Sequence, residues 1–530
     1  MTNVPLLSLI IFVPWIGALL LAALPQLSRS PAGHRTTRLI AFVFSLSTLA
    51  LTLAAVLPAF DTAAAGTLQL AERHTWIAPL NINYTLGIDG ISLVLVLLTG
   101  LIAPMSLAAT WRSPATSATS LPPPPPRLPG ILFLTIQGAA LGVFLAQDFF
   151  LWFLFWELSL FPAFFLTKLY GNDTDSNGDT RPGNASRAAY QFVIYTMGGS
   201  AFMLLSFAAI YAVTGTLNFE ELQFHLFSSD KLADKLAAVS PALPMLVFFG
   251  VLLGLAVKVP LFPFHTWLPS AYAAAPTGAS IFLTAIMSKM GLYGFIRILW
   301  SIFPIELIIT APILIWFALA GVVFGAFAAL RQRDLKRMIA YSSINHLGYC
   351  LLAFFAFVIA ADHLPSTSQT FTAALTGMIL QMFNHGLSAA ALFYCIGILE
   401  NRTGGLRGMG DFGGVRKVAP IFAAFCGISM FSSLGLPGLN GFVGEFLIFR
   451  GVFGAAPVVA AIATLGLLAT ALFLLTFWQR VFHGPVTPNA QRVTDLTATE
   501  ILTLAPAIVL MFVLGLAPQL LINLFRSLLG

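Results

Sequence analysis

Two lysines, two glutamates and two histidines stand inside apolar runs, and together these residue types suit one chemistry, the holding and passing of protons. Lys258 lies in VLLGLAVKVP and Lys289 in LTAIMSKMGL, Glu157 in FLFWELSLF and Glu445 in GFVGEFLIF, while His346 and His385 fall near the centres of their own segments. Keeping the four lysines and glutamates ionised at membrane depth costs roughly 10 to 14 kcal/mol, at about 2.5 to 3.5 each. A purely structural helix would carry Leu at those positions. One reading is a buried salt bridge between Glu157 and a lysine that fixes helix packing, but desolvation consumes most of the Coulomb gain of such a pair. The other is a relay, in which an opposite charge that comes and goes switches a buried lysine between keeping and releasing its proton. Each histidine alone suits a packing role equally well; beside two buried lysines, both fit the relay.

These groups flank two interrupted helices. In LAVKVPLFPFHTWLP, Pro260 and Pro263 remove backbone donors directly after Lys258, and in SSLGLPGLNGFVGEF, Pro437 and several glycines precede Glu445. Such breaks are tolerated at membrane depth where protein or water satisfies the freed groups, and in transporters they mark ion sites near the midplane. The alternative is a simple proline kink packed in protein. The Gly-rich second break has no GK[ST] and no strand before it, which excludes a phosphate loop.

The elements that position these residues are set by composition. Hydrophobic residues make up 58% of the 530 positions and charged residues 9%, far below the roughly 25% charged of soluble domains. The fold class is therefore an all-α polytopic membrane protein with a single membrane domain. A spanning helix needs roughly 20 apolar residues. That ruler finds about fourteen segments, centred near Trp15, Ser47, Leu98, Leu141, Trp156, Leu204, Gly254, Ser288, Gly321, Cys350, Leu387, Leu434, Leu468 and Phe512. No Lys or Arg precedes Arg29, so the run from Val4 to Pro25 is expected to stay as the first span rather than serve as a cleaved signal. Cys350, Cys395 and Cys426 fall inside apolar runs with no CxxC spacing and are expected to be packing residues.

Assigning alternate loops to opposite sides puts 18 of the 26 Lys and Arg residues on one side and 6 on the other, leaving only Lys258 and Lys289. The positive-inside rule makes the richer side cytoplasmic and places both termini outside. Spread through loops in this way, the net charge of +6 points to topology and not to nucleic acid. The prolines between Leu121 and Arg127 read as a stiff connector, the stretch Gly171 to Arg187 as a flexible cytoplasmic loop, and Asn218 to Lys235 as an amphipathic helix on the outer surface. The glycosylation patterns at Asn184 and Asn401 read as chance matches on the cytoplasmic side.

Across nearly its whole length the sequence resembles the proton-translocating antiporter-like subunits of NADH:quinone oxidoreductase (complex I), a family related to Mrp-type cation/proton antiporters and membrane-bound hydrogenases. The motifs are LGIDGISL at Leu86 to Leu93, FLAQDFFLWFLFWEL at Phe144 to Leu158, AVKVPLFPFHTWLP at Ala256 to Pro269, DLKRMIAYSSINHLG at Asp334 to Gly348, QMFNHGLSAAALF at Gln381 to Phe393 and GLPGLNGFVGEF at Gly435 to Phe446. The resemblance implies two inverted five-helix repeats, at about 129–301 and 306–482, after three helices at about 4–110 and before a last one at about 498–525. It implies Glu157 and Lys258 as the interacting pair of one half-channel, Lys289 and His346 as central groups, His385 as a further group and Glu445 as the terminal group. An acid at the last position resembles the M type (D type in photosynthetic relatives), since L- and N-type and antiporter subunits usually carry Lys there. Where the family commonly continues HTWLP with Asp-Ala-His, this chain has Ser270-Ala271-Tyr272. The proton entrance there is expected to be altered, or to use His265 and water.

The expected function is thus proton translocation coupled to quinone reduction elsewhere in the complex. The chain shows no nucleotide motif, flavin site or cluster ligands, so no cofactor is expected in it. The resemblance implies NAD, FMN, iron–sulfur clusters and quinone in partner subunits. Implied partners are the L-, N- and K-type membrane subunits, the peripheral arm and the lipid bilayer. The implied location is the bacterial inner membrane, with a thylakoid membrane as the second option. The alternatives are an Mrp-type cation/proton antiporter, a hydrogenase-type complex and, in a different class, a structural scaffold with inert salt bridges.

Overall fold

The computed structural model describes residues 4–25, 31–110, 125–173, 183–227, 232–365 and 368–529. In chain order the main elements are α1 (Leu6–Ala23), α2 (Pro31–Leu51), a hairpin of β1 (Gln69–Ile77) and β2 (Ile82–Ile88), α3 (Gly90–Thr110), α4 (Leu128–Leu145), α5 (Phe149–Leu158), α6 (Leu160–Tyr170), α7 (Asn184–Thr214), α8 (Phe219–Phe227), α9 (Leu232–Val239) and α10 (Leu243–Lys258). There follow α11 (Leu268–Ala274), α12 (Thr277–Phe282), α13 (Ser288–Gly294), α14 (Pro304–Leu330), α15 (Leu335–His363), α16 (Gln369–Arg402), α17 (Pro420–Ser433), α18 (Asn440–Ala455), α19 (Pro457–Phe482) and α20 (Ala498–Leu516).

Among the described residues, twelve helices are long and apolar enough to cross a membrane. Two further apolar segments are each split by a break, α10 from α11 and α17 from α18; counted as one crossing each, they make up the fourteen read from the sequence. In crossings four to eight, and again in nine to thirteen, the split crossing comes fourth. Five is odd, so the second run begins from the opposite side, and the two runs have inverted topology.

Alternate loops meet at opposite ends of the bundle. At one end, most residues between the third and fourth crossings lie outside the described set, but Asn172 after α6, Ala273 to Ala275 at the end of α11, Asp334 before α15 and Arg407 after α16 all meet. At the other end an isolated bridge pairs Asp148 with Asn218, and Leu86 pairs with Ala146. Loops assigned to one side thus touch one another.

The hairpin is not foreshadowed by the helix ruler. β1 and β2 pair antiparallel, Arg73 opposite Thr85 and His74 opposite Tyr84. Glu72 on β1 accepts from Leu7 N at 2.7 Å and also binds Ser8, capping the N-terminus of α1 with a carboxylate. The surface helix expected over Asn218 to Lys235 is two shorter helices, α8 and α9, the latter meeting α10 at 113°. The proline connector falls largely outside the described residues, as does most of the Gly171 to Arg187 loop. All three cysteines are buried, as packing residues should be.

Both breaks have their backbone groups accounted for. Pro260 has no N–H for Ala256 O, and Leu261 N supplies it instead at 2.9 Å; the Val257 carbonyl this leaves over accepts from Trp267 Nε1 at 2.9 Å. In the second break, Leu436 N donates to Phe431 O at 3.0 Å, and Gly435 turns the chain at φ +77°. Gly441 lets α18 begin against α17, because a Cβ there would lie 2.0 Å from Ser432 O.

Candidate functional site

Lys258 ends α10, where Pro260 halts the helix, and its side chain is 2% exposed. Its ammonium stands over the Trp156 ring, 4.7 Å from the centroid, with no hydrogen-bond partner among the described residues. The aromatic face is a weak substitute for a carboxylate. Glu157, next on α5, is half-buried, and its Oε1 is likewise without a hydrogen-bond partner. The two residues expected to interact are neighbours through Trp156 but are not joined as an ion pair. Trp156 itself is held by Nε1 donating to Ser200 Oγ at 3.0 Å.

Lys289 is completely buried, on the helical run that follows α12. A π-helical turn at Leu283–Met287 precedes it and another, Phe295–Trp300, follows α13. Widened turns of this kind re-aim the side chains around them and recur at functional sites. Lys289 Nζ donates to Thr284 O at 2.8 Å and meets His385 Nδ1 at 2.7 Å. At that contact the ammonium is the donor and the imidazole nitrogen the acceptor.

From His385 the line continues into the second half of the chain. The His385 and His346 rings lie with centroids 5.4 Å apart. His346 Nδ1 is 3.1 Å from Glu445 Oε1, close enough for an ion pair though not aligned as a hydrogen bond. Gln381 Nε2 donates to the same carboxylate oxygen at 3.2 Å. The spatial order is therefore Lys289, His385, His346, Glu445, with His385 between the two groups read as central.

A polar web that sequence reading overlooked fixes this line to the second break. Ser388 Oγ meets Ser432 Oγ at 2.5 Å, Ser432 Oγ donates to Asn440 Oδ1 at 2.5 Å, and Asn440 Nδ2 donates to Asn384 Oδ1 at 3.2 Å. Asn384 Nδ2 returns a bond to Asn440 O at 2.7 Å. Gln381, Asn384, His385 and Ser388 are spaced i, i+3, i+4, i+7, one face of α16, and that spacing was readable in the sequence.

His265 lies in the break between α10 and α11, stacked on Phe262 with centroids 5.1 Å apart and edge-on to Phe324 of α14. It is buried in this aromatic pocket, and its Nδ1 has no partner among the described residues. Tyr272, where the family commonly has His, donates its hydroxyl to Leu283 O at 2.9 Å and so anchors the π turn ahead of Lys289. Arg297, counted as an outer loop charge, instead sits in the second π turn, paired with Asp89 and donating from Nε to Tyr293 Oη at 3.1 Å.

Known proteins resemble the chain over nearly its whole length. Residues 146–472 match the family described as NADH:quinone oxidoreductase/Mrp antiporter, TM. The chain is 34% identical over 545 residues to NADH-quinone oxidoreductase subunit M of Mycobacterium tuberculosis, covering 98% of this chain and 92% of that protein. It is 35% identical over 525 residues to F(420)H(2) dehydrogenase subunit M of Methanosarcina mazei, covering 97% and 95%. Among solved structures it is similar to a chain of respiratory complex I from Thermus thermophilus, with a TM-score of 0.80, 26% identity and coverage of 99% and 100%.

Proposed function

Because the chain belongs to the NADH:quinone oxidoreductase/Mrp antiporter family, within its subunit M group, we propose that it carries protons along Lys289, His385, His346 and Glu445. Quinone reduction in partner subunits would alter the approach of Glu157 to Lys258. Drawn off the Trp156 face towards the carboxylate, Lys258 holds its proton; released from it, Lys258 gives the proton up. Lys289 first gives its own proton to His385 Nδ1, and the neutral amine left behind then takes up the proton that Lys258 releases. The imidazole releases the proton on its other nitrogen, and a ring rotation or one bridging water closes the gap to His346. Glu445, held by Gln381, takes it from His346 and releases it outside.

What supports this reading is the close run of proton-carrying groups from Lys289 to Glu445, with contacts of 2.7 and 3.1 Å at its two ends. The chain itself acts without a redox centre. NAD, FMN, iron–sulfur clusters and quinone belong to partner subunits, with L-, N- and K-type subunits beside it in the membrane. We place both termini outside a bacterial plasma membrane, as the loop charges require. Glu445 disfavours the antiporter alternative, in whose subunits Lys is usual.

The test is proton pumping by the assembled complex carrying Lys258→Ala or Glu445→Ala. Each variant, present at parental levels, is expected to pump roughly tenfold fewer protons or less. Parental stoichiometry in both would sink the proposal.

A further inference from the structure

At the end of the bundle opposite the β-hairpin, four charged side chains that no relay step uses are buried together. Asp334 caps α15, its side chain accepting from Arg337 N, and Lys336 lies in the first turn; Glu400 lies near the end of α16 and Arg407 on the segment after it. Lys336 Nζ is 2.6 Å from Glu400 Oε2, Arg407 Nε is 2.6 Å from Asp334 Oδ2, and Arg407 Nη1 is 3.7 Å from Glu400 Oε1. None of the four side chains is more than 11% exposed. Two cations and two anions balance, so no net charge is buried. Such clusters contribute little to stability and more to fixing one arrangement of the elements they join.

Both cations also reach α11. Arg407 Nη1 donates to Ala273 O at 2.7 Å and Lys336 Nζ to Ala275 O at 3.4 Å. Asn172, whose side chain donates to Glu400 Oε1 at 2.9 Å, sends its backbone N–H to Ala274 O at 2.7 Å. These carbonyls end a helix, where no further turn satisfies them and where the dipole favours positive charge. The proline break has already cut α11 off from the backbone ladder of α10. Its outer end is therefore held by side chains of α15 and α16, the two helices that carry His346 and His385.

We propose that Asp334, Lys336, Glu400 and Arg407 form a latch that couples the half-helix following Lys258 to the helices bearing the histidines, so that displacement at the first break resets the spacing of the proton line. The four act as positioning residues, since none touches the relay. The inference rests on the proton-carrying reading, but its mechanical part can be read without pumping.

The assembled complex carrying the neutral double variant Lys336→Met with Glu400→Gln is compared with Lys336→Arg, which keeps the charge. In the double variant, amide hydrogen exchange over residues 268–276 should speed up, and protons pumped per electron should fall, each by at least about twofold. Lys336→Arg should match the parent in both. Unchanged exchange in the double variant overturns the latch, as does equal loss in Lys336→Arg, or failure of both variants to assemble. Lys258→Ala serves as the control: if it pumps at parental levels the proton-carrying reading fails, while the exchange result still decides whether the cluster holds α11.

Discussion

His385 is the residue on which the proton line turns. Its Nδ1 takes the 2.7 Å contact from Lys289, and its ring faces His346, so it joins the two halves of the relay. His385→Leu keeps the volume approximately and removes both nitrogens, leaving Thr284 O as the hydrogen-bond partner of Lys289 Nζ among the described residues. Pumping is expected to fall by roughly tenfold or more, with His385→Gln retaining part of it; equal pumping by His385→Leu and the parent in proteoliposomes would remove His385 from the path. The ionisable members of this site were legible because charge in an apolar run stands out at once. The order of the members was not, because spacing along one helix says nothing about which of its groups faces another helix. The amides and hydroxyls of Gln381, Asn384 and Ser388 escaped notice for a related reason. α16 is buried on all sides, so its sequence lacks the apolar and polar faces whose contrast would mark a special stripe.

At the scale of elements, the split crossings were legible because proline and glycine act on the backbone directly, and Pro260 and Pro437 each interrupt a helix where they fall. The β-hairpin and the π turns were not. QLAERHTWI is too short and too polar for the twenty-residue ruler, and a π turn leaves no compositional mark. Packing between elements depends on small residues that pattern reading treats as neutral. At Gly451 of α18 an added Cβ would lie 2.6 Å from the backbone N and Cα of Ala374 on α16, the helix that carries both His385 and Gln381. Backbone cannot yield there as a flexible side chain would, so Gly451→Val must push α18 outward and carry Glu445 with it. The expected cost is about 1–3 kcal/mol, seen as reduced assembly and a lower unfolding temperature of the complex. Gly321→Ala, with nothing within 4 Å of its added Cβ, is the matched control and should be neutral. Equal stability of the two variants would show that α16 and α18 are free to separate.

For the whole molecule, sidedness ties the proton line to a direction. The charge bias assigns alternate loops to opposite sides, and the contacts agree on the grouping: Asn172, Ala274, Asp334, Glu400 and Arg407 come together at one end, Asp148 and Asn218 at the other. Grouping alone does not say which end faces the cytoplasm, and the positive-inside rule supplies that. The chain offers a clean way to check it, because its three cysteines are all buried and should give little background with a membrane-impermeant maleimide. Thr75 on the hairpin and Gly410 after α16 are both exposed, and Gly410 has nothing within 4 Å of an added Cβ. Thr75→Cys should label in intact cells, whereas Gly410→Cys should label only in inverted membrane vesicles. The reversed pattern would place the charge-rich end outside, and Glu445 would then release its proton towards the wrong compartment. Labelling of both from one side would break the alternation itself, because an even number of crossings separates loops on the same side and an odd number those on opposite sides. Between Thr75 and Gly410 lie nine crossings if each split helix counts as one. Opposite labelling therefore also tests whether the interrupted pair that lies between them, α10 with α11, traverses the membrane as a single crossing.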